Sequence, residues 1–216
     1  MKKFLALVIT FTIVIGISLC GCNQTVTDSS SVSNEEMNYD TEFDKIMESI
    51  DDMNVNSEYI CDLILTMWQS VDTDTLTGCI YTLKNLKSTD DDEFYSSSGP
   101  NPMNVATALD LHKLSPSYDS PKVRSAIYDY AVKFQEATKN VSESKNDLKE
   151  QIKTIKDTMG NEHENGIKAL QDYYIKSSTL ADFALEPSGS LITYSNSYKE
   201  IKDNITEAKN TADLAK

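Results

Sequence analysis

The chain has almost no arginine. Arg124 is the only one among 20 basic side chains, set against 34 acidic ones, and the formal charge is −14. A surface this acidic repels phosphate backbones and anionic head groups, which excludes nucleic-acid binding as a task. Histidine is as scarce: His112 and His163 fall in unrelated segments, and without CxxC or HExxH spacing there is no zinc pattern. GxSxG, P-loop, SxxK and Cys/His arrangements are missing too, so no catalytic residue and no cofactor can be named from motifs. Four of the five prolines, Pro100, Pro102, Pro116 and Pro121, crowd into one segment. Long uninterrupted helices are therefore allowed on either side of it. Alternating strand patterns of useful length do not occur, which argues against a sheet.

Cysteine is sparse as well, yet two of the four, Cys20 and Cys22, stand one residue apart in the stretch IGISLCGCNQ. Lys2 and Lys3 supply a positive start, and Phe4 to Leu19 is an apolar run broken only by Thr10, Thr12, Gly16 and Ser18, the layout of a secretory signal peptide. A membrane span needs about 20 apolar residues, whereas this run turns polar at Asn23 and Gln24. The reading is removal rather than retention.

Leu19-Cys20-Gly21-Cys22 resembles the lipobox of bacterial lipoproteins. The resemblance implies that residues 1–21 are a lipoprotein signal peptide and that Cys22 receives a diacylglyceryl thioether as the new N-terminus. Cys20 fills a slot where alanine, serine or glycine is usual. An ordinary signal peptide, with Cys22 a bystander, is the alternative. Loss of Lys2 and Lys3 with the leader takes the charge from −14 to −16, so membrane contact must come from the lipid. The expected location is the extracytoplasmic face of the cell membrane. The preference for lysine over arginine, with abundant Asn, Ile and Ser, is a bias shared with low-GC Gram-positive bacteria.

Residues 22–40 are rich in Ser, Thr, Asn and acidic side chains with almost nothing to bury, and read as a tether. Its length predicts an end-to-end distance of roughly 20–25 Å. From Thr41 the pattern changes. Phe43, Ile46, Ile50, Met53, Ser57, Ile60, Ile64, Met67 and Val71 alternate steps of three and four, predicting a helix from Thr41, with Asp44 completing a capping box, to Val71. Leu76, Cys79, Leu83 and Leu86 predict a second. Ser88 to Ser120 reads as a crossover with one short helix at 103–114. Ser120-Pro121 is a strong start signal, and Ile127 to Met159 carry an unbroken stripe. Gly160 reads as a C-cap, or the helix runs on with a kink. Ile167, Leu170, Tyr174, Ala181 and Ala184 form a further stripe, and Leu191, Tyr194, Tyr198, Ile201, Ile205, Ala208 and Ala212 the last. The expected fold for 41–216 is all-α: an elongated antiparallel helical bundle with coiled-coil-like packing.

Few residues invite a functional reading. Outside the cytoplasm Cys61 and Cys79 are expected to form a disulfide between the first two helices. The stretch DTDTLTG (Asp72 to Gly78) lacks the oxygen ligand, glycine and glutamate of a calcium loop, with Leu76, Thr77 and Leu83 in their places. Glu162, His163 and Glu164 cluster at a turn, where a capping role explains them more simply than a metal or acid–base one. No metal site is expected. Trp68, one step off its stripe, is either an interface anchor or part of a wide buried face. The crossover carries Phe94, Tyr95 and Tyr118 among carboxylates. It is either a recognition segment for a protein with a basic surface or a connector that reverses the chain.

These readings lead to a non-enzymatic, membrane-anchored lipoprotein that acts as a protein-interaction module at the cell surface. Helical lipoproteins of this form serve in envelope assembly or in immunity and exclusion carried by mobile elements, and the sequence does not choose between them. The competing expectation is a small-ligand-binding lipoprotein with a pocket between helices, lined by Tyr130, Tyr174, Tyr194 and Tyr198.

Overall fold

The computed structural model describes residues 38–90, 94, 102–115, 117 and 120–216. Among them are six α-helices and a short 3-10 helix. They are α1 (Tyr39–Trp68), α2 (Thr73–Asn85), α3 (Met103–Ala108), the 3-10 helix (Leu111–Leu114), α4 (Pro121–Met159), α5 (Glu164–Leu185) and α6 (Leu191–Ala215). No strand occurs among these residues, and the fold is an all-α helical bundle.

Local chemistry sets the helix starts. The Ser120 hydroxyl caps α4 by accepting from the Val123 N–H at 3.4 Å, and Pro121 opens the helix. Asp72 caps α2 through the Thr75 N–H, and Ser190 caps α6 through the Thr193 N–H. At α1 the start lies two residues before the predicted one. Asn38 Oδ1 accepts from both the backbone N–H and the hydroxyl of Thr41, so Thr41 is a donor to the cap rather than the cap itself. α1 also ends at Trp68, short of Val71. The single helix expected at 103–114 is divided by Asp110, which takes the left-handed conformation at φ 55°. Gly160 ends α4 in right-handed geometry, φ −58°, and the turn to α5 closes on Met159 O, which accepts from the N–H groups of Glu162 and His163. The α5–α6 turn does use glycine's freedom, at Gly189 with φ 96°.

Cross-helix contacts give the chain directions. Asp44, Asp51 and Glu58 of α1 hold Lys216, at the C-cap of α6, and Lys209 and Lys202 within it, rising along one helix and falling along the other. Asn54 meets Tyr173 and Ser177 of α5, and Tyr39 meets Gly166. α1 is thus antiparallel to α6 and parallel to α5. The short turns make α4 and α6 run opposite to α5, an up-down-up-down arrangement. α1 packs most closely on α4 and α5, and α6 packs chiefly on α5.

Described residues of the crossover belong to the core. Phe94, Val105, Ala106, Ala108 and Leu111 are buried with Leu76, Leu83 and Leu86 of the α2 segment. Gln135 of α4 donates to the carbonyls of Leu83 and Leu86 at 2.8 and 2.9 Å, satisfying acceptors that the end of α2 leaves open.

Candidate functional site

Two of the expected interface anchors, Trp68 and Phe94, are core residues. Trp68 is 7% exposed and packs on Tyr194, ring centroids 5.6 Å apart. Tyr194 in turn stacks on Phe183 at 4.3 Å. Trp68 therefore belongs to a wide buried face, the consequence of α1 touching several helices at once. Phe94 is fully buried. Its N–H donates to Asp90 O at 2.7 Å. Tyr95 and Tyr118 lie outside the described residues, as does Cys22.

Cys61 and Cys79 are free, buried thiols rather than a disulfide. Cys61 lies beside the Tyr194 hydroxyl of α6. Burial pushes its thiol up to about 12, partly opposed by the adjacent Tyr194 hydroxyl, and burial raises Cys79 to about 11. Neither is a nucleophile near neutral pH, since the thiolate is the reactive form. The Tyr194 hydroxyl is itself buried without a hydrogen bond of ordinary geometry, and burial first, then Cys61, raises its pKa. Of the four tyrosines expected around a pocket, Tyr194 and Tyr198 fill the core and Tyr174 alone lines a described hollow.

That hollow is an open groove of about 480 Å³ between the second half of α4 and the middle of α5. Ile152, Tyr174 and Ile175 form its apolar part, and Ile175 is left 57% exposed. Tyr174 spans the gap, donating its hydroxyl to Lys145 O at 2.8 Å. Beyond it a Lys145–Asp182 ion pair ties α4 to α5. Lys149, Lys153 and Lys156 line the α4 edge, with Glu150 and Asp157 further round the helix and Gln171 opposite. A second hollow, of about 450 Å³, shares Lys156 and Gln171 and reaches Gly160 and Lys168.

Four lysines of α4 share the helix edge that borders the groove. At about 100° per residue, Lys145, Lys149, Lys153 and Lys156 fall within roughly 40° of one line on α4, whereas Glu150 and Asp157 stand about 80–100° away. Lys145 pairs with Asp182 and Lys168 with Glu164. Among the described residues no carboxylate lies in ion-pair reach of Lys149, Lys153 or Lys156. Their spacing of four, four and three was legible in SKNDLKEQIKTIK (residues 144–156), but lysines on a helix read as solvated surface until the neighbouring apolar groove is seen.

Two polar arrangements between helices also went unread. The first is the α1–α6 ladder of ion pairs, whose signal is acids seven residues apart facing lysines seven apart. The second is a buried node: Asn54 Nδ2 donates to Tyr173 Oη and Ser177 Oγ at 3.0 and 2.9 Å, and Tyr173 donates to Asp51. Burial, with Asp51 second, raises the Tyr173 pKa. Such groups bind helices together and hold no reacting geometry.

Glu162, His163 and Glu164 border a small polar hollow at the bundle end, where His163 stacks on Tyr39 at 3.7 Å. Glu164 is held below the usual carboxylate range by Lys168. Among the described residues no group of three or more His, Cys, Asp or Glu side chains is placed to hold a metal ion. No described helix is long and apolar enough to cross a membrane. No family model, curated protein or solved structure matches the chain.

Proposed function

We propose that this chain is a lipid-anchored, extracytoplasmic lipoprotein whose bundle is a non-enzymatic interaction module, engaging another protein through the α4–α5 groove. The observation that carries the reading is the groove: an apolar floor with Ile175 exposed, edged by Lys149, Lys153 and Lys156, none of which has an ion-pair partner among the described residues. Exposed apolar surface with a charged rim is the composition of an interaction site. The lipobox-like motif ending at Cys22 supports the anchor.

The groove's volume lies within the roughly 300–1,000 Å³ of small-molecule sites, but those sites enclose most of their ligand. Its openness along two helices favours a macromolecular surface over the small-ligand alternative.

Two experiments test the two halves. Cys22→Ser is expected to release the protein from the membrane or block its processing; unchanged membrane partition would remove the anchor from the reading. A photo-crosslinking phenylalanine at position 175, in cells, is expected to give a discrete adduct that the same residue at Asn196, on α6, does not. Identical adduct patterns at both positions would leave the groove without an interaction role.

A further inference from the structure

We infer that the occupant of the α4–α5 groove is an acidic amphipathic helix of a partner protein; this rests on the interaction reading above and names its chemistry. Three observations converge. The groove runs along two antiparallel helices, so a third helix can lie in it and bury an apolar seam on Ile152, Tyr174 and Ile175. The lysines repeat with helical period: Lys149, Lys153 and Lys156 are four and three residues apart, about 6 and 4.5 Å along the axis. Acidic side chains at positions i, i+4 and i+7 of a docked helix repeat at the same intervals. The third observation is charge. In a chain of formal charge −14, three lysines without ion pairs outnumber the two carboxylates, Glu150 and Asp157, that line the same groove.

The lysine edge is unfavourable to the helix by itself, because Lys145, Lys149 and Lys153 place like charges at successive i,i+4 positions. Lys145 is relieved by Asp182. Glu150 and Asp157 flank Lys153 on the same helix, three residues before and four after, but no described carboxylate stands within ion-pair distance of Lys149, Lys153 or Lys156, and an acidic helix supplies such partners from outside. A basic helix meets repulsion there, and a neutral one leaves the lysine edge uncompensated. Charge therefore sets partner choice while Ile175 and its neighbours supply the buried area.

The test uses the full chain and a fluorescent probe peptide of about 21 residues, three heptads with a leucine seam and flanking glutamates. The same peptide with lysine for glutamate, and a scrambled version, serve as controls. Anisotropy titration is expected to show the glutamate peptide binding at least ~10-fold tighter than either control, and weakening as salt rises. Lys149→Glu/Lys153→Glu/Lys156→Glu, and separately Ile175→Asp, are each expected to lower affinity at least ~10-fold with helicity and melting temperature retained. All four residues are exposed, so these variants fold. Equal binding of the lysine peptide, or an unchanged triple variant, overturns the inference. Lysine-dependent preference for phosphatidylglycerol over phosphatidylcholine vesicles, with no peptide binding, overturns it in favour of an anionic membrane surface. If the peptide fails while the position-175 adduct persists in cells, the partner chemistry is wrong and the interaction reading stands; if both fail, both fall.

Discussion

Lys209 of α6 places its Nζ 2.8 and 2.6 Å from the two carboxylate oxygens of Asp51 on α1, the middle rung of a ladder that steps seven residues at a time on each helix. Asp44–Lys216 and Glu58–Lys202 are the outer rungs. A period of seven keeps each pair on the same line of a coiled-coil-like interface. The ladder therefore sets the register of α6 on a helix that it touches mainly through long side chains.

Breaking the middle rung should be measurable but modest, because both side chains are 40% exposed. In a double-mutant cycle of Asp51→Asn with Lys209→Met, followed by urea unfolding, the expected coupling is about 0.5–1 kcal/mol, shrinking in high salt. Asp51→Asn alone should cost more, about 1–2 kcal/mol, since Asp51 also accepts from Tyr173. A coupling of zero would reduce the ladder to three unrelated surface contacts.

Adjacent tyrosines should differ in cost. Tyr173→Phe removes a hydroxyl that donates to Asp51 and accepts from buried Asn54, and should lose about 1–3 kcal/mol. Tyr174→Phe removes one bond to the Lys145 carbonyl at a half-buried site, and should lose about 0.5–1.5 kcal/mol. Urea midpoints of the two variants give the order directly. The reverse order would mean that the buried node contributes less than the groove's cross-link.

These two residues also show what a hydropathy pattern can and cannot reveal. The stripe through Phe43, Ile50, Ile60 and Met67 was legible because α1 buries one broad apolar arc. The start of α4 was legible because Ser-Pro leaves the backbone little choice. In α5 the same reasoning chose Tyr174 over Tyr173. That helix touches α1, α4 and α6, so its buried arc takes in Gly166 and Ser177, which an apolar stripe passes over. The sequence leaves Phe94 open between an anchor of a recognition segment and part of a connector, because its acidic neighbours carry no burial pattern, and it is fully buried. The groove needed knowledge of which face of α4 meets α5, and that depends on tertiary register rather than on any local pattern.

Buried thiols make alkaline pH a probe of the core. Cys61 and Cys79 rise from 9.0 to about 12 and about 11 on burial. Above pH 9 the unfolded chain gives up these protons while the folded chain keeps them. Stability is then full below pH 9 and falls as pH rises toward 11 and 12, by ~1.4 kcal/mol per pH unit for each thiol. Urea unfolding between pH 9 and 10 should show the fall, and Cys61→Ala/Cys79→Ala should reduce it, leaving the part of the same sign that the buried tyrosines, also raised above their ordinary pKa, contribute. Alkylation of the unreduced protein should label both thiols only after denaturation. A denatured, unreduced protein with no labelled thiol would restore the disulfide expected from the sequence.

Gly166, in the first turn of α5, sits where three helix ends meet. A Cβ there would stand 2.1 Å from Tyr39 Oη and 2.9 Å from the backbone oxygen of Ala215. Alanine gains roughly 0.5–1 kcal/mol of helix propensity over glycine, while overpacking typically costs about 1–3 kcal/mol. The clash outweighs the gain, and Gly166→Ala should lose about 1 kcal/mol net. His163 stacked on the Tyr39 ring opposes an easy swing out of the way. Tyr39 Oη is buried with no hydrogen-bond partner among the described residues, so Tyr39→Phe should be nearly neutral on its own. In the double variant the closest obstacle is gone, and thermal melting should recover part of the Gly166→Ala loss, a non-additivity of about 0.5–1 kcal/mol. If the two changes simply add, the obstacle is the Ala215 carbonyl, and the end of α6 rather than Tyr39 is what requires glycine at this position.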